Sequence, residues 1–224
     1  MVDIRVGIEK IGAWLHNHEA HAQAGHKERV RAARARLDRL REMASDPHVP
    51  EKQRFARCFA YLRKIEPLVF EELILAAFRR AGFTVRVNEA YTGDGGIDGR
   101  VWIDDWREID PWYARYRPDT VLRGWAGVQC KRYAGAVQRE HLRQFPLDLE
   151  REGLIAGFFV HTGTTPHRRN KPTAQEWQER LALPPVRMLS GLTLWDLLRD
   201  SRVMASTGQP QVSVESSTQK SGSV

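Results

Sequence analysis

Gly95-Gly-Ile-Asp-Gly99, followed further along by Val128-Gln-Cys-Lys131, decides how this chain is read. Glycines allow positive φ and close backbone approach, so the first string is a tight turn that delivers Asp98 to the start of a strand, Ile97 to Ile103. In the second, alternate residues of an extended strand share a face. Val128 and Cys130 suit a core, which leaves Gln129 and Lys131 side by side on the opposite face. An ammonium on a covered strand needs a partner, because desolvating an unpaired charge is costly. Asp98 on the neighbouring strand is the natural one. The same residues also read as a plain hairpin turn with a structural Asp–Lys pair at the sheet rim.

Outward from these strands, regular elements alternate. A helix is expected from Pro67 to Ala81, with proline in its first turn and Gly82 as its stop. Phe83, Val85 and Val87 alternate with polar residues as a strand does. A strand over Trp125 to Tyr133, a helix over Val137 to Glu150 and a buried strand over Leu154 to Val160 come next. A helix near Thr173 to Arg180, a short strand over Val186 to Leu189 and a last helix over Leu192 to Leu198 complete the series. This order predicts an α/β architecture, a mixed central sheet flanked by helices. Ahead of it, Ile4, Ile8, Ile11 and Leu15 trace one helical stripe. Ala24-Gly25 is expected to interrupt it, before a second stripe at Val30, Ala33, Leu37 and Leu40. Arg29, Arg31, Arg34, Arg36, Arg39 and Arg41 line the outer face, a solvated surface or a DNA-binding one. Ser45 to Glu51 reads as a hinge. The expected organisation is an N-terminal helical region over 1–50, a core over 54–202 and a disordered Ser/Thr/Gln/Gly-rich tail over 206–224.

Composition narrows the function. The 224 residues carry a formal charge of +7, which favours a polyanionic partner such as nucleic acid. A hydrophobic fraction of 42% with seven Trp fits a folded protein. Cys58 and Cys130 are the only cysteines, too few for a structural zinc site. His16, His18, His21 and His26 match no zinc spacing. Met1 to Lys10 lacks a signal-peptide pattern, and no apolar run approaches the ~18 residues of a membrane span. These features predict a cytoplasmic protein with free thiols.

Taken together, FEELILAAFRRAGF (70–83), TGDGGIDG (92–99), VQCKRY (128–133), GFFVHTG (157–163) and LSGLTLWDLL (189–198) resemble the Mrr-type restriction endonucleases, a branch of the PD-(D/E)xK nucleases. The resemblance covers about residues 64 to 199. It implies a restriction-endonuclease-like fold and an Mg²⁺-dependent DNA endonuclease that restricts foreign or modified DNA. A structure-selective nuclease of the junction-resolvase type and a non-catalytic DNA-binding protein are the other readings of the same core. Asp98 corresponds to the family's metal-binding acid, Gln129 to the position usually held by Asp or Glu, Lys131 to the motif lysine and Glu71 to the helical acid. Glu72 is a rival, because one residue turns a helix by ~100°. Metal ligands would be Asp98, Gln129, the Cys130 carbonyl and Glu71, and Lys131 would orient water or stabilise charge on phosphorus. Cutting both strands of a duplex implies a homodimer.

Basic residues near these motifs are candidate DNA contacts: Arg132, Arg139 and Arg143 beside the site, and Arg168, Arg169 and Lys171 with His167 on a loop tip. The link over about 104–124 is longer than the family pattern. It interleaves Trp106, Trp112, Tyr113 and Tyr116 with Arg107, Arg115, Arg117 and Arg123, either to stack on bases or to pack back onto the core.

Overall fold

The computed structural model describes residues 4–87, 96–164 and 183–199, with side chains from residue 24 onward except that of residue 139. The elements are α1 (Ile4–Ser45), α2 (Glu51–Leu62), α3 (Pro67–Arg80), β1 (Val85–Val87), β2 (Gly99–Ile103), α4 (Trp106–Ile109), α5 (Pro111–Tyr116), β3 (Gly124–Lys131), α6 (Arg139–Arg151), β4 (Ala156–His161), β5 (Val186–Leu189) and α7 (Gly191–Arg199).

Five strands form one mixed sheet in the order β1-β2-β3-β4-β5. The first three make an antiparallel meander, with Val87 opposite Gly99 and Gly99 opposite Val128. β4 and β5 then join in parallel, with Gln129 opposite Phe159 and Lys131 opposite His161. The expected α/β architecture is therefore present, and the period-2 reading of β3 holds residue by residue. Ala126, Val128 and Cys130 face the larger core with Phe158 and Val160, where α1, α2, α3 and α7 cover the sheet. Phe159 belongs to a smaller core on the other face, under α6. Gly127 and Gly157 are register partners on that second face. A Cβ on either would come within 2.5 Å of Leu149, so their bare backbone lets α6 press closely onto the sheet.

Helix α3 begins as its sequence directs. Pro67 occupies its first turn, and the Glu66 carboxylate accepts from the Leu68 and Val69 amides at 3.2 and 2.9 Å. β1 runs toward the start of β2, so α3 ends at the opposite pole and its first turns, with Glu71, lie beside Asp98's end of the sheet.

One expectation needs correction, and two observations extend the reading of the N-terminal third. Ala24-Gly25 does not break the first helix; α1 is continuous over 42 residues. A single helical glycine costs only about 1 kcal/mol, and the strong helix formers around it carry the helix through. Residues 54–202 do not stand apart from residues 1–50. Ala33, Leu37, Leu40 and Ala44 are buried in the larger core, and His26 on α1 contacts Glu72 on α3 at 3.2 Å. The turn after Ser45 leads into α2, a helix whose Phe55, Cys58, Phe59 and Leu62 repeat at the amphipathic spacing.

The 104–124 link is a folded cap rather than a loop. Asp105 caps α4 and binds Arg107, which also donates to the Pro118 carbonyl, and Asp110 caps α5. Trp106 and Tyr113 pack into the core, whereas Trp112 and Tyr116 are exposed. The cap joins the end of β2 to the start of β3. It therefore sits roughly 17 Å, five strand residues, from Asp98. Among the described residues no helix is long and apolar enough to cross a membrane.

Phe158 ties the sheet to both the helical layer and the cap, with its ring 4.9 Å from Phe78 and 5.1 Å from Trp106. Phe158→Ala is expected to cost about 3–5 kcal/mol in urea unfolding, since the rigid aromatics around it cannot collapse into the void.

Candidate active site at the strand ends

The start of β2, the ends of β3 and β4 and the first turns of α3 meet at one pole of the sheet. The backbone knits them together before any side chain contributes. Asp98 donates its amide to the Val128 carbonyl at 2.8 Å, which extends the β2–β3 ladder beyond Gly99. Its side chain continues the same pairing, because Oδ2 accepts from the Cys130 amide at 2.6 Å. The Asp98 carboxylate is thus held against β3 between Gln129 and Lys131. A charged acceptor makes such a bond shorter and stronger than a neutral one.

Gln129 is almost fully buried, and its Oε1 has no hydrogen-bond partner among the described residues. Gly96 explains how it fits. This glycine has φ +82°, a conformation side chains resist, and a Cβ there would sit 2.3 Å from Gln129 Nε2. The glycine-rich turn thus does two things: it turns the chain, and it clears the space the amide fills. Asp148 of α6 faces the same space, with Oδ2 3.7 Å from that Cβ position.

The two neighbouring acids of α3 go different ways. Glu72 turns toward α1 and His26. Glu71 turns toward the strand ends, where burial first, and then the Asp98 charge, push its pKa from an ordinary 4.5 up to about 8, with Lys131 pulling it down. Lys131 therefore shares the site's field with both acids. His161, the register partner of Lys131 on the next strand, is fully buried beside Phe159, and burial lowers its pKa, favouring the neutral imidazole.

The remaining predicted residues divide. Cys130 contributes backbone only; its thiol is buried and its pKa is raised well above the usual range by desolvation. Arg132 is exposed at the end of β3 and donates to the Arg63 carbonyl at 2.7 Å. Arg63, which the sequence did not single out, reaches across to the Thr162 carbonyl and braces the end of β4. Arg143 is exposed on α6. Arg139 opens α6, but its side chain lies outside the described residues, as do Arg168, Arg169, Lys171 and His167. Tyr133 and His141, hydrogen-bonded to each other, close the α6 side. Asp148 was legible only as an acid in a helix; nothing in the sequence shows that it is buried.

The donor set suits a hard cation. Among the described residues no three Asp, Glu, His or Cys side chains form a ready cage. Two carboxylates with an orphaned amide oxygen are the partial, oxygen-only set that Mg²⁺ accepts while keeping waters. The crowding of Glu71 by Asp98 is what a cation between them would relieve.

The chain matches the family model described as "Restriction endonuclease" (Mrr_cat) over residues 62–198. No curated protein matches it. Among solved structures it is similar to "MspJI Restriction Endonuclease in Complex with 27-mer Oligonucleotide", at 21% identity and a TM-score of 0.40, over 70% of this chain and 32% of that one. The chain thus spans about a third of the length of that enzyme.

Two outcomes are expected from this geometry. Between 4.5 and about 8 the folded chain keeps a Glu71 proton that the unfolded chain has lost, so stability of the metal-free protein falls as pH rises across that window. Glu71→Gln should flatten this slope in denaturant melts taken along the window. Gly96→Ala should force both the turn and Gln129 to shift, lowering Mg²⁺ affinity by at least about tenfold in calorimetry.

Proposed function

The chain belongs to the Mrr-type restriction endonuclease family, and from that premise we propose that it is an Mg²⁺-dependent DNA endonuclease. The observation that carries this reading is the convergence of Glu71, Asp98, Gln129 and Lys131 at one pole of the sheet, with Glu71 shifted to about 8 by burial and Asp98. Strongly perturbed acids in such a place are the mark of a working site.

In this reading Asp98, Glu71, the Gln129 Oε1 and the Cys130 carbonyl hold the cation. When bound, the cation neutralises phosphate charge and acidifies water. The chain's own groups do the rest. Asp98 is fixed by the Cys130 amide, so its carboxylate needs little rearrangement to act. To hold a cation Glu71 would have to be ionised, so binding should tighten as pH rises toward 8. Lys131, half-buried at the end of β3, would place a positive charge where negative charge builds on phosphorus. Hydrolysis forms one P–O bond to water and breaks one ester P–O bond, and the departing alkoxide takes up a proton. Arg132 and Arg143 lie on the exposed rim, where they suit the phosphate backbone on either side, with Arg139, Arg168, Arg169 and Lys171 as further contacts in the same role. The net charge of +7 supports a polyanionic substrate. Restriction of foreign or modified DNA in the cytoplasm, by two copies acting on two strands, is the setting this activity implies.

Purified protein with Mg²⁺ should cut plasmid DNA, methylated or unmethylated, and EDTA should stop it. Lys131→Ala should slow cutting by at least about 100-fold with little change in melting temperature. Cutting confined to a four-way junction would make the protein a structure-selective nuclease instead. Salt-sensitive DNA binding without cleavage of any substrate would sink the enzymatic reading.

A further inference from the structure

Asp148 is a buried carboxylate on the apolar stripe of α6, between Phe145 and Leu149, where a core residue would ordinarily sit. A buried charge of this kind persists only with donors around it. Its Oδ1 has them: Gln144 Nε2 at 3.0 Å and Arg151 Nη2 at 3.0 Å. Its Oδ2 faces the other way, toward the space above Gly96, where the Gln129 amide also lies. Measured from the Cβ position of that glycine, Gln129 Nε2 is at 2.3 Å and Asp148 Oδ2 at 3.7 Å. The two atoms therefore border the same small space, no more than about 6 Å apart, close enough for one bridging water to join them.

We propose that Asp148 is a positioning residue that holds the Gln129 amide by its Nε2 end and so presents Oε1 to the cation. Three features support it. A carboxylate only accepts, so it selects the donor end of the amide and sets which way Gln129 points. Gln129 Oε1 is then left buried with no partner among the described residues, as a ligand atom would be. The pairing also gives a physical reason for an amide at position 129. A Glu there would bring a second carboxylate into the space Asp148 borders, and each charge would disfavour the other. Gln129 and Asp148 thus form one donor–acceptor unit that spans β3 and α6.

The proposal rests on the nuclease reading for its purpose but not for its geometry, and the test separates the two. Gln129→Glu, Asp148→Asn and the double variant Gln129→Glu/Asp148→Asn reverse donor and acceptor step by step. Cleavage rate, Mg²⁺ affinity by calorimetry and melting temperature are measured for each. Each single variant should lose about tenfold or more in rate and Mg²⁺ affinity, as outer-shell changes do. In the double variant the amide introduced at position 148 donates to the carboxylate introduced at position 129, and both quantities should recover to within about threefold of wild type. A merely structural Asp148 would not produce this reciprocal rescue. Equal effects of Gln129→Glu with Asp or with Asn at position 148 would overturn the proposal. If wild type cuts no DNA while melting and Mg²⁺ affinity still follow the reciprocal pattern, the positioning pair stands and the nuclease reading falls.

Discussion

The β2–β3 ladder, and the way Asp98 prolongs it, is the constraint on which the rest depends. Backbone pairing ends at Gly99 opposite Val128, yet the Asp98 amide and carboxylate add two more bonds, to Val128 and Cys130. This prolonged pairing keeps the carboxylate on the end of β3. Because side chains alternate, it also sends Val128 and Cys130 into the larger core while Gln129 and Lys131 emerge on the α6 face. A slip of one residue would exchange those faces, bury the lysine and dismantle the site. The site is thus secured by the same hydrogen bonds that secure the fold.

Around that ladder, each face of the sheet supplies one acid by a different route. On the larger core's side, α3 is started by Pro67 and the Glu66 cap, and its first turns bring Glu71 to the strand ends. On the other side, the bare backbone at Gly127 and Gly157 lets α6 approach closely enough for Asp148 to reach the Gly96 space. Glu71 and Asp98 crowd each other, while Asp148 is compensated by Gln144 and Arg151. In the proposed reading the first arrangement takes up a cation, and the second is closed and fixed, as support for a neighbouring group requires.

Helix α1, which precedes the family match, and the 104–124 cap, which lies within it, are both anchored in the core. Helix α1 lies parallel to α3: His26 meets Glu72, and Asp38 meets Arg80 further along. Its apolar stripe completes the layer over the sheet, so a stretch that reads as an appendage is part of the core. The cap over 104–124 was chosen by topology to sit at the pole away from Asp98. Its buried Trp106 and Tyr113 anchor it, and Arg107 and Arg123 are engaged locally by Asp105 and Asp104.

Periodicity and turn chemistry alone determined much of this protein. The alternation in Val128-Gln-Cys-Lys131, the stop at Gly82 and the glycine turn before Asp98 are local preferences, and local preferences are written in local sequence. They were enough to place the strands along the chain and to bring Asp98, Gln129 and Lys131 forward as candidates, while the family followed from the likeness of whole motif strings. Only the tertiary structure chose Glu71 over Glu72, because that depends on what α1 places beside α3. Only it moved the aromatic link to the far pole, and only it showed that Asp148 is buried beside Gln129. Those relations join residues far apart in the chain through the packing of helices on a sheet, and no short stretch of sequence contains both partners.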